Sequence, residues 1–175
     1  MNNVDIKFKN NWFNFMGYNP HAGQHKLHFP EKDKARFTVA VCGRRWGKSL
    51  SASMEASAVL AKENTRVWIV APTYDLSEKI FREIWHHMVV NKGMQTRRAS
   101  YKEQFIEFEW GAVLEGKSAD RPDSLVGESL DLLIIDECAK VKKNIWEMYL
   151  RPTLSDRKGR AIFISTPQGF NHLYD

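Results

Sequence analysis

The sequence has few cysteines, no long apolar run and no internal repeats. The absence of repeats excludes a solenoid or propeller architecture. Cys42 and Cys138 are the only cysteines, and both stand where a strand is expected to run into a loop, so neither a disulfide nor a metal framework is expected. No apolar run approaches the roughly 20 residues that span a bilayer, and the N-terminus lacks the apolar core of a signal peptide. We therefore expect a cytoplasmic protein with two reduced cysteines and no membrane association.

The length and composition are those of one globular domain. The 175 residues suffice for a single core, and the apolar share of 43% and charged share of 27% are far from those of disordered chains. The formal charge of +5 and the isoelectric point near 9.2 permit an anionic partner. Because many basic proteins bind no polyanion, the charge alone identifies no function.

Apolar runs and helical spacing alternate along the chain. Strands are predicted over residues 36–42, 67–71, 130–135 and 161–165, with a hairpin formed by 104–108 and 112–114. Helices are predicted over residues 48–62, over 76–90 with Asp75 or Ser77 as the cap, and around Ile145, Met148 and Leu150. Residues 116–129 are expected to form a loop. The alternation predicts an α/β fold with a mainly parallel sheet and helices on both faces.

A glycine-rich segment stands between the first predicted strand and the first predicted helix, which is the context of a phosphate-binding loop. It consists of Gly43, Arg44, Arg45, Trp46, Gly47, Lys48 and Ser49. Its N–H groups and the helix dipole would surround a β-phosphate, Lys48 would reach the β- and γ-phosphates, and the Ser49 hydroxyl would bind Mg²⁺. Cys42 departs from the usual pattern, which has glycine there. The alternative is an ordinary glycine turn before a basic helix start.

Two adjacent carboxylates follow the most apolar predicted strand. Asp136 and Glu137 come at its carboxyl end, where parallel sheets place ligands. Asp136 would hold Mg²⁺, and Glu137 would orient and deprotonate the water that attacks a γ-phosphate. The alternative is an aspartate that caps the next turn beside a solvated glutamate.

A third buried strand ends in hydroxyl groups. Ser165, Thr166 and Pro167 follow the predicted strand 161–165, and hydroxyls at this edge can sense a γ-phosphate. The residues alone do not separate this interpretation from a simple strand terminator, because Ser, Thr and Pro commonly end strands.

Four motifs in register resemble the ATPase domains of the large terminases of tailed phages. They are residues 43–49 (GRRWGKS), 121–127 (RPDSLVG), 133–137 (LIIDE) and 165–169 (STPQG). The resemblance covers roughly residues 20–175. It implies a P-loop NTPase of the additional-strand type, in which the strand ending at Thr166 lies between those ending at Cys42 and Asp136. It further implies hydrolysis of ATP with Mg²⁺, coupled through residues 165–167 to the packaging of double-stranded DNA into a procapsid.

The resemblance also assigns roles to individual residues. Gln24 is similar to the glutamine that reads the adenine edge in related motors, the alternative being an exposed loop glutamine. Arg44 resembles an arginine finger acting in cis, and Arg121 is a candidate finger acting on the nucleotide of a neighbouring subunit, whereas Arg45 would point elsewhere. For each arginine the alternative is a solvated or ion-paired side chain. Thr166 would lie beside the γ-phosphate.

The expected partners follow from the same resemblance. They are double-stranded DNA, the portal and the small terminase subunit, in a homo-oligomeric ring when assembled and as a monomer in isolation, in the host cytoplasm at the portal vertex. DNA would be gripped through phosphates by one of two basic clusters. The clusters are Lys92, Arg97, Arg98 and Lys102, or Lys140, Lys142 and Lys143. We expect residues 1–175 to form the ATPase domain, with an N-terminal extension over about 1–34 and no nuclease half.

Three alternatives remain open from the sequence. A helicase-like translocase shares the ATP chemistry but needs a second motor lobe. A nucleotide switch that binds ATP without hydrolysis would be favoured if Glu137 lay away from the γ-phosphate. A basic DNA-binding module without enzymatic activity leaves the acidic strand end unexplained.

Overall fold

The computed structural model describes residues 3–30 and 35–167. The longer helices are α1 (Asn3–Met16), α2 (Ala22–His28), α3 (Lys48–Leu60) and α4 (Tyr74–Ile84), with the short α5 (Lys143–Ile145). The strands are β1 (Phe37–Val41), β2 (Arg66–Ala71), β3 (Thr96–Ser100), β4 (Phe105–Phe108), β5 (Val113–Ser118), β6 (Leu132–Asp136) and β7 (Arg160–Ser165). π-helical turns continue α4 over Trp85–Asn91 and α5 over Trp146–Leu150, and 3₁₀ turns cover Pro122–Leu125, Cys138–Lys140 and Arg151–Leu154. Among the described residues, no helix has the length and apolar character needed to cross a membrane.

The seven strands form one sheet in the order β1-β7-β6-β2-β5-β4-β3. The first five of these strands are parallel, and β4 and β3 are added antiparallel at one side. Strand β7, the last in sequence of the described part, is therefore inserted between β1 and β6. Val41 pairs with Ser165, and Asp136 with Ile164, so the ends of these three strands meet at one edge. The predicted α/β class and the position of the inserted strand are confirmed.

Alternate residues of the central strands enter two separate apolar layers. On one face, Ile69, Ile134 and Ile162 pack with side chains of α1, α3 and α4. On the other face, Trp68 and Leu133 pack against the short helical segments after β6. Strand β6 is buried at every position, because both of its faces are covered, which explains why it reads as a continuous apolar run.

Several predicted boundaries are corrected by the structure. The hairpin of β4 and β5 is confirmed, but β5 continues to Ser118, and a 3₁₀ turn lies within the segment expected to be a loop. Helix α4 begins after Thr73, so Asp75 and Ser77 are not its N-cap. The Ser77 hydroxyl instead donates to the Tyr74 carbonyl and to Gln104 Oε1, at 2.8 and 2.7 Å. That buried pair ties α4 to the loop between β3 and β4.

Helices α1 and α2 are tied to the centre of the domain by a buried ionic network around Glu55 of α3. The Glu55 carboxylate is fully buried, and its Oε1 lies 2.8 Å from Lys9 Nζ and 2.7 Å from His28 Nδ1. Its Oε2 pairs with Arg160 at the start of β7. The Tyr18 hydroxyl lies 2.9 Å from His28 Nε2. One carboxylate thus connects α1, α2, α3 and β7.

The Glu55 network makes the stability of the fold depend on pH. Burial alone would raise the pKa of Glu55, but the charges of Arg160 and Lys9 and the hydrogen bond from His28 outweigh it and hold that pKa well below its ordinary value of 4.5. A depressed carboxyl pKa contributes stability that is complete above the ordinary pKa and is lost as pH falls below it. We expect the free energy of unfolding of the wild type to exceed that of Glu55→Gln by an amount that shrinks below about pH 4.5.

Urea unfolding of both proteins between pH 7 and pH 3 measures this difference. The other carboxylates titrate in both proteins and cancel in the comparison. A difference that stays constant down to pH 3 would contradict the ionic role of Glu55.

Candidate functional site

The site is built where β1, β7 and β6 end side by side. The Cys42 N–H donates to the Ser165 carbonyl at 3.1 Å, which extends the ladder of β1 and β7 by one residue. The glycine-rich segment leaves β1 at this point, and Thr166 and Glu137 follow the two neighbouring strands. Parallel strands place loops that are distant in sequence along one edge. The structure therefore brings the three predicted strand-end motifs together.

The glycine-rich segment forms a compact loop at the start of α3. Arg45 and Gly47 have left-handed backbones, with φ of 63° and 87°, and the helix begins directly at Lys48. Lys48 Nζ donates to the carbonyls of Cys42 and Gly43 at 2.8 and 2.9 Å. The lysine thus folds back over the start of the loop, and the positive dipole end of the 13-residue helix α3 opens directly at the loop.

The acidic pair lies across from this loop. Asp136 is buried, and its Oδ1 accepts the Glu137 N–H at 2.9 Å. Burial raises the pKa of Asp136 to about 6, even though the charges of Lys79 and Lys48 act to lower it. Glu137 has a left-handed backbone, with φ of 47°, a conformation that is uncommon outside glycine and clusters at functional sites.

Glu137 and Thr166 touch. Thr166 Oγ1 donates to Glu137 Oε2 over 3.4 Å, a long and weak hydrogen bond. Both residues are half-buried at the strand edge. This contact brings the two predicted residues together, and Asp136 also accepts the next N–H, as its alternative expected. The roles of Glu137 and Thr166 at a γ-phosphate stay predictions.

Gln24 lies against the phosphate-binding loop. It is buried in α2, with Oε1 accepting the His21 N–H at 3.1 Å and Nε2 donating to the Gly47 carbonyl at 3.4 Å. The left-handed backbone of Gly47, with φ of 87°, favours glycine there, and a Cβ would come within 2.6 Å of Gln24 Nε2, so that amide would have to move. The alternative of an exposed loop glutamine is wrong. The reading of adenine by Gln24 stays a prediction.

The three candidate arginines are all exposed. Arg44 and Arg45 are on the phosphate-binding loop, and Arg121 precedes the 3₁₀ turn that begins at Pro122. Ser49 occupies the second position of α3, next to Lys48. The finger roles of the arginines and the metal role of Ser49 stay predictions. Residues 168 and 169 of the fourth motif lie outside the described part of the chain.

Two contributors to the site were missed by sequence reasoning. Lys79 of α4 acts on the charge of Asp136, and His21 contacts the carbonyl of Trp46 in the phosphate-binding loop, with 3.1 Å between Nε2 and O. No motif marks Lys79. His21 carried a usable signal, because it stands three residues before a glutamine, the spacing of a reciprocal N-terminal cap.

The glycine loop that opens α3, the inserted strand β7 and the acidic pair after β6 define a P-loop NTPase of the additional-strand type. A family model described as "Terminase large subunit, T4likevirus-type, N-terminal" matches residues 39–175. The chain belongs to the family of terminase large subunits, as the four motifs predicted.

Two phage proteins and one solved structure show the extent of the similarity. The chain is 36% identical over 182 residues to the terminase large subunit of Thermus phage G20c, covering 94% of this chain and 37% of that protein. It is 37% identical over 143 residues to the terminase large subunit of Escherichia phage T5, covering 81% of this chain and 32% of that protein. The large terminase ATPase domain of Thermus phage P74-26 superimposes with a TM-score of 0.81 at 35% identity, covering 93% of this chain and 70% of that one.

The chain therefore spans about a third of the length of the curated relatives that it matches. The described part corresponds to the ATPase domain of a terminase large subunit.

Proposed function

We propose that this chain hydrolyses ATP and that hydrolysis drives double-stranded DNA into a viral procapsid. The observation that carries the proposal is the contact of Thr166 with Glu137, at 3.4 Å, beside the loop that bears Lys48. A γ-phosphate held by Lys48 would meet a carboxylate that accepts a proton and a hydroxyl that detects whether the phosphate is present.

The proposed reaction is in-line attack of water on the γ-phosphorus. Glu137 orients the water and takes its proton, the new bond forms to phosphorus, and the bond to the bridging oxygen of ADP breaks. The loop N–H groups and Lys48 stabilise the charge on the phosphate oxygens. Release of the γ-phosphate frees the Thr166 hydroxyl, and residues 165–167 relay that change to the rest of the motor.

The residues at the site fit a bound Mg²⁺. Asp136 is buried, and burial raises its pKa to about 6. The positive charges of Lys79 and Lys48 therefore do not offset the cost of burying its carboxylate. Oxygen ligands from one carboxylate and the Ser49 hydroxyl are the kind that Mg²⁺ takes in nucleotide sites, with phosphate oxygens and water completing the shell. The ion would neutralise charge that develops between the β- and γ-phosphates.

Arginine and base contacts complete the proposed nucleotide site. Arg44 is the proposed cis finger and Arg121 the proposed finger supplied to a neighbour in a ring, since both are exposed and free to reach a phosphate. Gln24 is proposed to read adenine. Arg45 and Trp46 contribute loop N–H groups.

The structure favours one of the two basic clusters for gripping DNA. In the first cluster, Arg98 pairs with Glu103 at 2.9 Å and Arg97 with Glu107 at 3.7 Å, so part of its charge is already neutralised. Lys140, Lys142 and Lys143 are exposed, and within the described residues none of them forms an ion pair. We infer that these three lysines contact DNA phosphates.

The wider assembly is proposed on family membership. The portal, the small terminase subunit and further copies in a ring are the proposed partners, and the host cytoplasm at the portal vertex is the proposed location. Helices α1 and α2 are assigned to the ATPase domain because they pack on α3. Family membership also favours this function over a helicase-like translocase, and the placement of Glu137 favours hydrolysis over a nucleotide switch.

Phosphate release from ATP, measured with Mg²⁺ or EDTA and with or without double-stranded DNA, tests the proposal. We expect turnover that requires Mg²⁺ and rises with DNA. Reversal of Lys140, Lys142 and Lys143 to Glu should remove most of the DNA stimulation and leave basal turnover within about twofold, because phosphate contacts add to DNA affinity without touching ATP.

The matched control reverses three exposed lysines elsewhere, Lys7, Lys26 and Lys158. The change in net charge is the same, so only the location differs. Equal loss of stimulation in both variants would mean that overall charge, and not this cluster, attracts DNA. A protein that binds ATP but releases no phosphate under any of these conditions would be a switch.

A further inference from the structure

The imidazole of His21 uses both of its ring nitrogens at the edge of the nucleotide site. Nδ1 accepts the backbone N–H groups of Gly23 and Gln24 at 3.1 and 3.3 Å, and it thereby caps the start of α2. Nε2 lies 3.1 Å from the carbonyl oxygen of Trp46. His21 thus both caps α2 and contacts the phosphate-binding loop.

These contacts define the tautomer of His21. A nitrogen that accepts hydrogen bonds carries no proton, so the proton of a neutral ring lies on Nε2. Nε2–H then donates to the Trp46 carbonyl. A protonated ring would present a donor to the two N–H groups of α2, and the cap would be lost.

Packing holds the two partners in this arrangement. The rings of His21 and Trp46 meet edge to face, with 5.0 Å between centroids and 89° between planes. A Cβ on Gly23 would lie 3.0 Å from Cζ2 of Trp46, so the Trp46 ring packs closely on the start of α2. Next along the loop, the Gly47 carbonyl accepts Gln24 Nε2 at 3.4 Å.

The direction of the peptide group between Trp46 and Gly47 follows from these contacts. The Trp46 carbonyl is turned toward His21 at the start of α2, whereas the Gly47 carbonyl accepts the Ser51 N–H at 2.9 Å and therefore lies along the axis of α3. In a trans peptide the C=O and the next N–H point in opposite directions, and the described chain has no cis peptide. The Gly47 N–H therefore faces away from His21, and the Lys48 N–H is directed out of the start of α3 by the helix itself, as a loop that cradles phosphate requires.

We propose that His21 is a positioning residue for the nucleotide: by holding the Trp46 carbonyl, its Nε2–H orients the Gly47 N–H toward the phosphates before ATP arrives. This role rests on the proposed ATPase function. It belongs to the phosphate side of the site, whereas Gln24 is proposed to act on the base.

His21→Ala is expected to raise KM for ATP about 3- to 10-fold and to leave kcat within about twofold. One ordinary hydrogen bond corresponds to an effect of that size, and preorganisation of the loop acts on nucleotide in the ground state and transition state alike. Affinity for inorganic triphosphate, measured by calorimetry, should fall by a similar factor, because that ligand uses the loop and has no base.

Two further variants separate the loop contact from the helix cap. His21→Asn keeps a side-chain acceptor for the N–H groups of α2 but is too short to reach the Trp46 carbonyl as well, so it should raise KM like His21→Ala while retaining the wild-type melting temperature. His25→Ala removes an exposed histidine of the same helix and should leave KM unchanged.

The outcomes decide between distinct failures. A wild-type KM for His21→Asn beside a raised KM for His21→Ala would reduce the role of His21 to capping and overturn the proposal. Unchanged triphosphate affinity in His21→Ala would overturn it as well. If the unaltered protein bound neither ATP nor triphosphate, both the proposed function and this inference would fail. If the unaltered protein and His21→Ala bound triphosphate equally tightly, only the inference would fail.

Discussion

Glu137→Gln is expected to lower ATP turnover by roughly 10²- to 10⁴-fold, the usual contribution of a positioned general base. The amide matches the carboxylate in shape but cannot accept the proton of the attacking water. ATP affinity should stay within a few-fold of the wild type, because Lys48 and the loop N–H groups bind the phosphates. Single-turnover phosphate release and calorimetric ATP binding, compared in the same preparation, measure the two quantities.

Glu147→Gln provides the matched control for Glu137→Gln. Glu147 is exposed on the π-helical turn after α5, so its loss changes net charge by the same amount at a distance from the site. It should turn over ATP like the wild type. Turnover retained in Glu137→Gln would show that another group deprotonates the water.

Glu55→Gln is expected to lower the free energy of unfolding by about 3–5 kcal/mol, since removal of one member of a buried ion pair leaves its partners uncompensated. Lys9 is buried beside Glu55 at 2.8 Å, and the amide cannot balance its charge or that of Arg160. For a chain of this length the melting temperature should fall by roughly 6–20 °C. Urea and thermal unfolding, followed by far-UV circular dichroism, measure the effect.

Two companion variants make the Glu55 prediction specific. Glu128→Gln breaks a half-exposed pair with Arg66, which has 2.8 Å between the charged atoms, and should change stability by less than about 1 kcal/mol. Adding Lys9→Met to Glu55→Gln should recover part of the loss, because the unpaired ammonium is then removed. Equal effects of Glu55→Gln and Glu128→Gln would show that the buried network adds nothing beyond a surface pair.

The parts of the fold predicted from the sequence are those whose signal is local. β6 and β7 read as apolar runs because both of their faces are buried. The phosphate-binding loop and the acidic pair were found because each is contiguous and stands between elements of the right type. The inserted order of β7 came from family resemblance, since no local pattern states which strands are neighbours.

The parts that were missed depend on contacts between distant residues. Strand β3 reads Thr-Arg-Arg-Ala-Ser and lies at the edge of the sheet, so it has no buried face to impose an apolar pattern. The role of Glu55 arises only when α1, α2 and β7 converge. One signal was available: α3 is rich in small residues all round, which is typical of a helix buried on every side, and a glutamate in such a helix needs a partner.

The place of β7 in the sheet also has a consequence for synthesis on the ribosome. In the sheet formed by the described residues, strands β1 and β6 do not pair with each other and are joined through residues 160–165. A nascent chain that has not yet emerged to that point displays the apolar edges of both strands, and Glu55 still lacks Arg160. The sheet cannot close before residues 160–165 have emerged, and until then the growing polypeptide exposes unpaired strand edges to chaperones.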